Sequence, residues 1–204
     1  MNKNLKHEIL AAAQSFFNEK GYQETTMRDI ASALGISLGN LTYHFHKKEE
    51  LMIALLKWPD FMNQPPASTF TEFFELIEAM IDSLIVNRFF YTVDELGRAT
   101  PEFYRHNVDM VSQIENHLEL SLQRLSDREL LVPWLSDDER HAFTRMIMDS
   151  HLIWIKNSFY REVQDQLSYA DFLDIHWHLL ESHVRKEKIS EYQKCRSWLS
   201  FEQD

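Results

Sequence analysis

Glycine and proline are scarce in this chain, which contains 4 Gly and 5 Pro among 204 residues. Because β-hairpins and long loops depend on these residues at their turns, the composition predicts a mostly helical protein. Three of the glycines, Gly21, Gly35 and Gly39, lie within the first 40 residues. A glycine-rich loop that cradles phosphate elsewhere in the chain is therefore not expected, which argues against a P-loop or a dinucleotide-binding turn.

Cysteine and long apolar runs are also scarce. Cys195 is the single cysteine, so no intrachain disulfide can form, and we expect a partly buried, unreactive thiol in a reducing cytoplasm. No apolar run approaches the ~18 residues that a membrane span needs. The polar opening MNKNLKHEIL does not resemble a signal peptide. These features predict a cytoplasmic protein with no membrane partner.

The sequence shows no catalytic or metal-binding motif. Ten histidines are present, but His176 and His178 are two residues apart and would lie on different faces of a helix. Asp174 and His178 have the i, i+4 spacing of helical metal ligands, yet hydrogen-bonding histidines in a dry pocket are the simpler interpretation. No nucleophile elbow appears. We therefore expect no enzyme activity, no catalytic residues, no metal site and no cofactor.

The segment 25–51 has the pattern of two short helices joined by a glycine turn. Thr26 and Asp29 have the spacing of a capping box at the start of the first helix. Gly35 stands where that helix must reverse, and Ser37 is a good N-cap for the second. This order of signals predicts a helical pair with a tight connection.

The second helix of the pair, predicted at Leu38 to His44, places Leu41 and Phe45 at i, i+4, so that both would face the first helix. This is the layout of a helix-turn-helix, whose second helix enters the DNA major groove. An amphipathic helix at Leu5 to Lys20 would complete a three-helix headpiece. A generic glycine-centred helical hairpin is the alternative interpretation.

The same segment resembles the TetR family of bacterial transcriptional repressors. Two positions depart from the family pattern: Leu38, where members often carry Lys or a small polar residue, and Lys47, where Ser, Asn or Asp is common. The resemblance implies a body domain that binds a small inducer and dimerises through its last helices. The matching residues are Gly21-Tyr22, Thr25-Thr26, Asp29-Ile30-Ala31, Gly35-Ile36-Ser37, Gly39-Asn40-Leu41, Tyr43-His44-Phe45 and Lys48-Glu49-Glu50-Leu51.

Contacts with DNA are predicted from the geometry of the helix-turn-helix. Gly39 leaves room for close backbone approach, and Asn40 can pair bidentately with adenine. The alternatives are a solvated surface amide for Asn40 and a packing ring for Tyr43. In the resembling family, the residues at Tyr43 and His44 hold the DNA backbone. The predicted DNA-binding residues are Thr26, Arg28, Ser37, Leu38, Gly39, Asn40, Thr42, Tyr43, His44 and Lys48.

The net charge of −11 is unevenly distributed. Residues 1–50 contain six Lys or Arg and six Asp or Glu, so the whole negative charge lies in residues 51–204. This asymmetry suggests two regions with different partners. It also predicts modest non-specific affinity for DNA, because that affinity depends on phosphate neutralisation by Lys and Arg.

The rest of the sequence predicts a helical body, which gives an all-α fold. Pro59, Pro65 and Pro66 make 58–68 a loop, and so divide a DNA-binding domain at 1–57 from a ligand-binding and dimerisation domain at 58–204. The 137–160 helix is apolar around most of its circumference, which predicts a position in the middle of the body. Helices are predicted near 48–56, 69–86, 88–96, 101–127, 137–160 and 169–186, with a further short one at the end of the chain.

Aromatic and methionine side chains in the body suggest a cavity for an apolar or aromatic ligand, although such side chains are more often plain core. His151 would supply the orienting hydrogen bond. The apolar stripe from Phe172 to Val184 predicts a homodimer built mainly from the last two long helices. The predicted ligand-binding residues, near the middle of the 101–127 and 137–160 helices, are Met110, Ile114, Met148, His151 and Trp154.

These patterns predict a ligand-responsive transcriptional regulator, a repressor that a small apolar or aromatic effector releases from a palindromic double-stranded DNA operator. Two other classes remain open. A ligandless regulator or partner-binding protein would have a solidly packed body. A helical small-molecule enzyme would need a convergent set of acid, base or nucleophile, which the sequence does not show.

Overall fold

The chain is helical almost throughout the part that the computed structural model describes, which comprises residues 3–56, 59–92, 101–134, 136–160 and 168–199. These ranges contain no β-strand, and Leu131 and Val184 form an isolated bridge. The predicted all-α fold class is confirmed. The α-helices are α1 (Lys3–Lys20), α2 (Met27–Ala33), α3 (Leu38–His44), α4 (Lys48–Leu55), α5 (Phe70–Val86), α6 (Phe89–Thr92), α7 (Pro101–Asp127), α8 (Asp137–Tyr160), α9 (Tyr169–Glu181) and α10 (Ile189–Leu199). Short 3-10 helices lie at Asp60–Asn63 and Lys186–Lys188.

The helices form two compact units. The first unit contains residues 1–58 and 85–107, and the second contains residues 59–84 and 108–204. No helix in the part of the chain that the structure describes combines the length and apolar character that crossing a bilayer requires.

Helix α1 holds the first unit together. Its Ile9, Ala13 and Phe17 are buried, and they share one core cluster with Ile30 of α2 and Leu41 of α3. Each large apolar side chain buried in this way contributes about 1.5–3 kcal/mol to folding. The orientation of the α2–α3 pair is therefore fixed by packing against α1.

A segment that is distant in sequence braces the same unit. The side chain of Asn18 donates a hydrogen bond to the Val86 carbonyl (2.8 Å) and accepts one from the Phe89 N–H (3.1 Å). The ring of Phe89 lies 5.2 Å from that of Phe17, between ring centroids. The sequence did not predict this brace, because it joins residues about 70 positions apart with no pattern to link them.

The core of the second unit is built from α5, α7, α8, α9 and α10. Phe74 of α5 stacks on Trp177 of α9. The hydroxyl of Tyr192 in α10 donates a hydrogen bond to the Trp177 carbonyl (2.5 Å). Phe172 and Leu180 are buried in the same cluster. Most of the apolar stripe of α9 is therefore covered within the chain itself.

The boundaries of α7 and α8 are as predicted, and the predicted short helix at the end of the chain is confirmed as α10. The predicted helix 169–186 is wrong at its end, because α9 stops at Glu181 and Val184 turns to pair with Leu131. Of the helix predicted at 88–96, the structure shows residues 89–92, and residues 93–96 lie outside the described ranges. The predicted loop at 58–68 contains a turn of 3-10 helix.

Helix α8 presents apolar side chains in two directions. Phe143 and Ile147 belong to the core, whereas Met146 is 42% exposed and Ile153 is 60% exposed. The prediction that this helix lies in the middle of the body is therefore wrong for the single chain. Helix α8 is apolar around most of its circumference, but none of the described residues of this chain covers the face that carries Met146 and Ile153.

Candidate nucleic-acid interface

Helix α2 begins at a complete capping box. The Asp29 N–H donates to Thr26 Oγ1 (3.2 Å), and the Thr26 N–H donates to the Asp29 carboxylate (2.9 Å). Hydrogen bonds from the side chain and backbone of Thr26 lower the pKa of Asp29 below its ordinary value. The two unpaired donors at the start of the helix are thus satisfied by the residues that the sequence predicted.

The turn between α2 and α3 depends on a glycine. Gly35 has φ = +65°, a backbone conformation that other residues adopt only with strain. Ser37 then caps α3, because its hydroxyl oxygen accepts a hydrogen bond from the Asn40 N–H (3.1 Å). These two residues set the point and direction at which α3 leaves the turn.

Helix α3 has one buried face and one exposed face. Leu41 is buried and Phe45 follows it in the core of the first unit, so the helix is anchored from one side. Gly39 and Asn40 are exposed, and Tyr43 is 71% exposed. A side-chain carbon added at Gly39 would meet only the Ser37 hydroxyl, at 3.9 Å, so the helix surface is open there.

The structure places the predicted DNA-binding residues in two groups. The exposed ones are Thr26, Arg28, Ser37, Leu38, Gly39, Asn40 and Tyr43, and the partly buried ones are Thr42, His44 and Lys48. Thr42 donates its hydroxyl proton to the Gly39 carbonyl (3.1 Å). The rings of Tyr43 and His44 meet edge to face at the end of α3. The role of each residue in binding DNA stays a prediction.

Lys48 has a structural role that the sequence did not predict. Its ammonium group donates hydrogen bonds to the carbonyls of Tyr22 (2.5 Å), Thr25 (2.9 Å) and Gln23 (3.3 Å). It also lies 4.2 Å from the centroid of the Tyr22 ring, within the range of a cation–π contact. Burial lowers the pKa of this ammonium group, while Glu49 and Glu24 raise it. Lys48 therefore ties the start of α4 to the loop between α1 and α2.

Lys47, which departs from the family pattern, precedes α4 without a cap hydrogen bond from its side chain. Glu50 supplies part of the missing contact, because its carboxylate accepts a hydrogen bond from the His46 N–H (2.8 Å). A carboxylate in the first turn also suits the positive end of the helix dipole. Lys47 is exposed, and within the described ranges no ion pair of its ammonium group is found, so it can meet an anion from outside.

Similarity to known proteins agrees with this geometry. The sequence model described as bacterial regulatory proteins of the tetR family matches residues 9–55. The HTH-type transcriptional repressor KstR2 of Mycobacterium tuberculosis is 46% identical over 50 residues, which are 24% of this chain and 25% of that protein. The HTH-type transcriptional repressor AcnR of Corynebacterium efficiens is 25% identical over 154 residues, which are 73% of this chain and 80% of that protein. The helix-turn-helix segment of the chain is therefore similar to that of the TetR family.

The similarity of fold extends beyond residues 9–55. A TetR-family transcriptional regulator from Marinobacter aquaeolei VT8 superposes with a TM-score of 0.84 at 20% sequence identity, and the match covers 97% of this chain and 98% of that one. The match to KstR2, in contrast, spans a quarter of that repressor's length. The sequence similarity to KstR2 is therefore confined to a segment of about 50 residues.

The predicted ligand-binding residues lie in or against the core of the second unit. Met110 and His151 are buried, and Ile114, Met148 and Trp154 are partly buried. The imidazole of His151 donates a hydrogen bond to the Ile147 carbonyl (2.7 Å), so one of its nitrogens is already occupied. Binding of an effector by these five residues stays a prediction.

A cavity of about 440 Å³ lies elsewhere in the second unit. It is bordered by the segment 60–67, by one face of α5 and by His117 of α7, and none of the five predicted ligand residues is among those lining it. Glu72, Glu75 and Ala79 share one face of α5 by their spacing, which is a weak signal in the sequence. Nothing in the sequence could place His117 opposite that face.

Within the described ranges, no group of three His, Cys, Asp or Glu side chains is arranged so that it could hold a metal ion.

Proposed function

We propose that this protein is a DNA-binding transcriptional repressor that acts as a homodimer on a palindromic operator and is released from it by a small molecule. The observation that carries the proposal is the form of α3. This helix is capped by Ser37 and anchored by Leu41, and it presents Gly39, Asn40 and Tyr43 outward. An exposed, rigidly held helix of this kind fits the major groove.

The contacts divide into one base reader and a set of groups for the DNA backbone. Asn40 is proposed to read adenine through its amide. Gly39 and Leu38 would face the base edges beside it, where a small surface permits close approach. The groups proposed to meet phosphates are Thr26, Arg28, Ser37, Thr42, Tyr43 and His44, whereas Lys48 is already bonded to the α1–α2 loop.

Short-range contacts must supply most of the affinity, because the first 50 residues carry no net charge. Non-specific affinity, which rises with the number of phosphates neutralised, should therefore be low. Two copies of α3 related by a two-fold axis would enter successive major grooves about 34 Å apart, which is why the operator is expected to be palindromic.

Exposed apolar residues of the second unit support the homodimer. Met146 and Ile153 lie seven residues apart on α8, and Ile175 of α9 is 40% exposed. Apolar side chains clustered on helices are a common basis of subunit interfaces. Because most of the Phe172 to Val184 stripe is buried within the chain, these three residues now carry the dimer proposal. The proposed interface remains between the α8 and α9 helices of two copies.

The proposed division of labour assigns DNA binding to residues 1–57, and effector binding and dimerisation to residues 58–204. An effector lowers operator affinity if it binds the DNA-free state more tightly than the DNA-bound state. We place the protein in the cytoplasm, where its operator would be, and assign it no enzymatic activity.

Selection of bound sequences from a pool of randomised DNA duplexes tests the proposal. The purified protein should enrich a palindrome, and the Asn40→Ala variant should lose about 1–3 kcal/mol of binding free energy on it while random DNA is bound almost as before. Asn63→Ala, which removes an exposed amide outside the helix-turn-helix, is the control and should bind both DNAs as the unaltered protein does. Equal losses for Asn40→Ala on both DNAs would remove its role as a base reader, and failure to enrich any sequence would contradict the function.

A further inference from the structure

Apolar residues line part of the cavity of the second unit. They are Phe61 of the 3-10 helix, Leu76 and Ala79 of α5, and the neighbouring Pro65 and Ala67. Its volume of about 440 Å³ falls in the range of pockets that hold drug-sized molecules. A ligand body of carbon atoms, such as one aromatic ring with a short chain, would bury its surface here.

The rim of the cavity is acidic. Asp60, Glu72 and Glu75 line it, and no lysine or arginine is among its lining residues. Glu72 is committed to the start of α5, where its carboxylate accepts hydrogen bonds from the N–H (2.7 Å) and hydroxyl (2.9 Å) of Ser68. Asp60 and Glu75 are exposed, and within the described part of the chain their carboxylates have neither a hydrogen bond nor an ion pair.

His117 is a second, independent sign of a ligand site. It lines the cavity and is only 8% exposed, yet within the described ranges no hydrogen bond to its imidazole is found. The hydroxyl of Ser121 donates to its backbone carbonyl and leaves the ring alone. Its ring nitrogens are therefore available to a polar atom of a molecule that enters the cavity.

The charge state of His117 determines which hydrogen bonds its imidazole can form with a ligand. Burial lowers the pKa of this imidazole, and the nearby Arg124 lowers it further. The ring is therefore neutral near pH 7, with one nitrogen that donates and one that accepts. Arg124 itself is held by the Pro66 carbonyl, to which its guanidinium donates a hydrogen bond (2.6 Å).

We propose that this cavity binds an amphipathic organic cation, with the apolar body on Phe61, Leu76 and Ala79 and the ammonium group between Asp60 and Glu75. An anionic ligand would be repelled by the three carboxylates, and a neutral one would gain no electrostatic attraction from them. His117 would hold a polar atom of the ligand body. Binding of this cation does not depend on the proposed function; only its role as the effector does.

Three probes with one body and different head groups test the charge preference: 4-phenylbutylamine, 4-phenylbutanol and 4-phenylbutanoate, each titrated calorimetrically into the DNA-free protein at low salt. We expect the amine to bind about fivefold more tightly than the alcohol, since one exposed charge pair is worth up to about that factor, and the carboxylate not to bind measurably. Equal binding of amine and alcohol, tighter binding of the carboxylate, or no binding of the amine overturns the proposal.

Variants locate the site. Glu75→Gln should lower the affinity for the amine about threefold to fivefold and leave the alcohol unaffected. Asp138→Asn, the same loss of charge at an exposed position of α8, is the matched control and should change neither. His117→Phe should fill the cavity and weaken all three probes. Unchanged binding of the amine to Glu75→Gln places the cation elsewhere and overturns the assignment, whether or not His117→Phe folds.

A separate measurement tests whether the bound cation acts as the effector. Adding 4-phenylbutylamine to the complex of the protein with its selected DNA should lower DNA affinity. Binding without release of DNA would retain the cation site and remove its role as effector. Failure to select any DNA, with the calorimetric preference intact, would contradict the proposed function alone.

Discussion

Lys48 illustrates how one charged side chain stabilises a small domain. Three carbonyls of the α1–α2 loop accept hydrogen bonds from its ammonium group, which joins this loop to the start of α4. A hydrogen bond that involves a charged group contributes about 1.5–3 kcal/mol. The same ammonium group cannot hold a phosphate with full strength while it donates to all three carbonyls. Its position favours support of the headpiece over direct contact with DNA.

Replacement of Lys48 by methionine separates these roles. Lys48→Met keeps most of the apolar stem and removes the donors, so it should lower the free energy of unfolding by about 1.5–3 kcal/mol, measured by urea denaturation. The slope of DNA affinity against salt concentration should stay unchanged. Lys47→Met, at the adjacent exposed position, is the control and should leave stability nearly unaltered. A slope lower by about one unit for Lys48→Met, without loss of stability, would instead support the contact with phosphate.

His151 makes the second unit sensitive to acid. Burial, and to a smaller extent the neighbouring His176, lower the pKa of His151 from 6.5 to about 3, although its hydrogen bond to Ile147 opposes this. Below pH 6.5, His151 is protonated in the unfolded chain but stays neutral in the folded chain. The contribution of this residue to the free energy of unfolding is therefore complete above pH 6.5 and falls between pH 6.5 and 3. At pH 5 the loss should be about 2 kcal/mol for this residue.

The measurement is urea denaturation at pH 7.5 and pH 5. His151→Leu should show a smaller drop in unfolding free energy between the two pH values than the unaltered protein, whatever its stability at pH 7.5. His46→Leu, which replaces an exposed histidine, should show the same drop as the unaltered protein. If His151→Leu loses as much stability on acidification as the unaltered protein does, burial of a neutral His151 is not the cause.

Of the two glycines at the turn and on α3, the backbone conformation requires glycine at Gly35 but not at Gly39. Gly35 adopts φ = +65°, so any side chain there strains the backbone although space is available. Gly39 lies within α3 and has no such constraint, since a side-chain carbon would meet nothing closer than 3.9 Å. Its lack of a side chain is therefore not required by the fold, which points to the space it leaves for DNA.

Alanine at each glycine tests this contrast. Gly35→Ala should lower the free energy of unfolding by about 1–2 kcal/mol, because the left-handed conformation is costly for alanine. Gly39→Ala should raise stability by about 0.5–1 kcal/mol, since alanine favours the helix, and should weaken operator binding. Thermal unfolding and DNA titration measure the two effects. A Gly39→Ala variant that binds the operator as well as the unaltered protein would contradict close approach at this position.

The helices show which parts of the structure a sequence can predict. The capping box of Thr26 and Asp29, the turn at Gly35 and the bounds of α7 and α8 depend on residues within a few positions of one another, so local pattern was sufficient. The brace between Asn18 and Phe89 and the placement of His117 against the segment 60–67 join distant residues, and no local pattern records them.

For the whole chain, the apolar surface that remains exposed is the main argument for assembly. Ile153 is 60% exposed and Met146 is 42% exposed, although both lie on a helix whose other face is core. An isolated exposed apolar residue needs no explanation, but Met146 and Ile153 share one face of α8 by their spacing, and with Ile175 of α9 they are the patch proposed to meet a second copy. The palindromic operator proposed above requires the same two-fold symmetry.

A single charge in that patch should separate the two copies. Ile153→Asp places a carboxylate where the symmetric interface would bury it, and an unpaired buried charge costs several kcal/mol, so the protein should sediment as a monomer at micromolar concentration. The variant should keep its fold, because Ile153 is exposed in the single chain, and its operator affinity should fall since both half-sites can no longer be held at once. Leu120→Asp, which charges an exposed apolar position of α7 outside the proposed interface, should remain a dimer. An Ile153→Asp variant that is still dimeric would place the interface elsewhere on the chain.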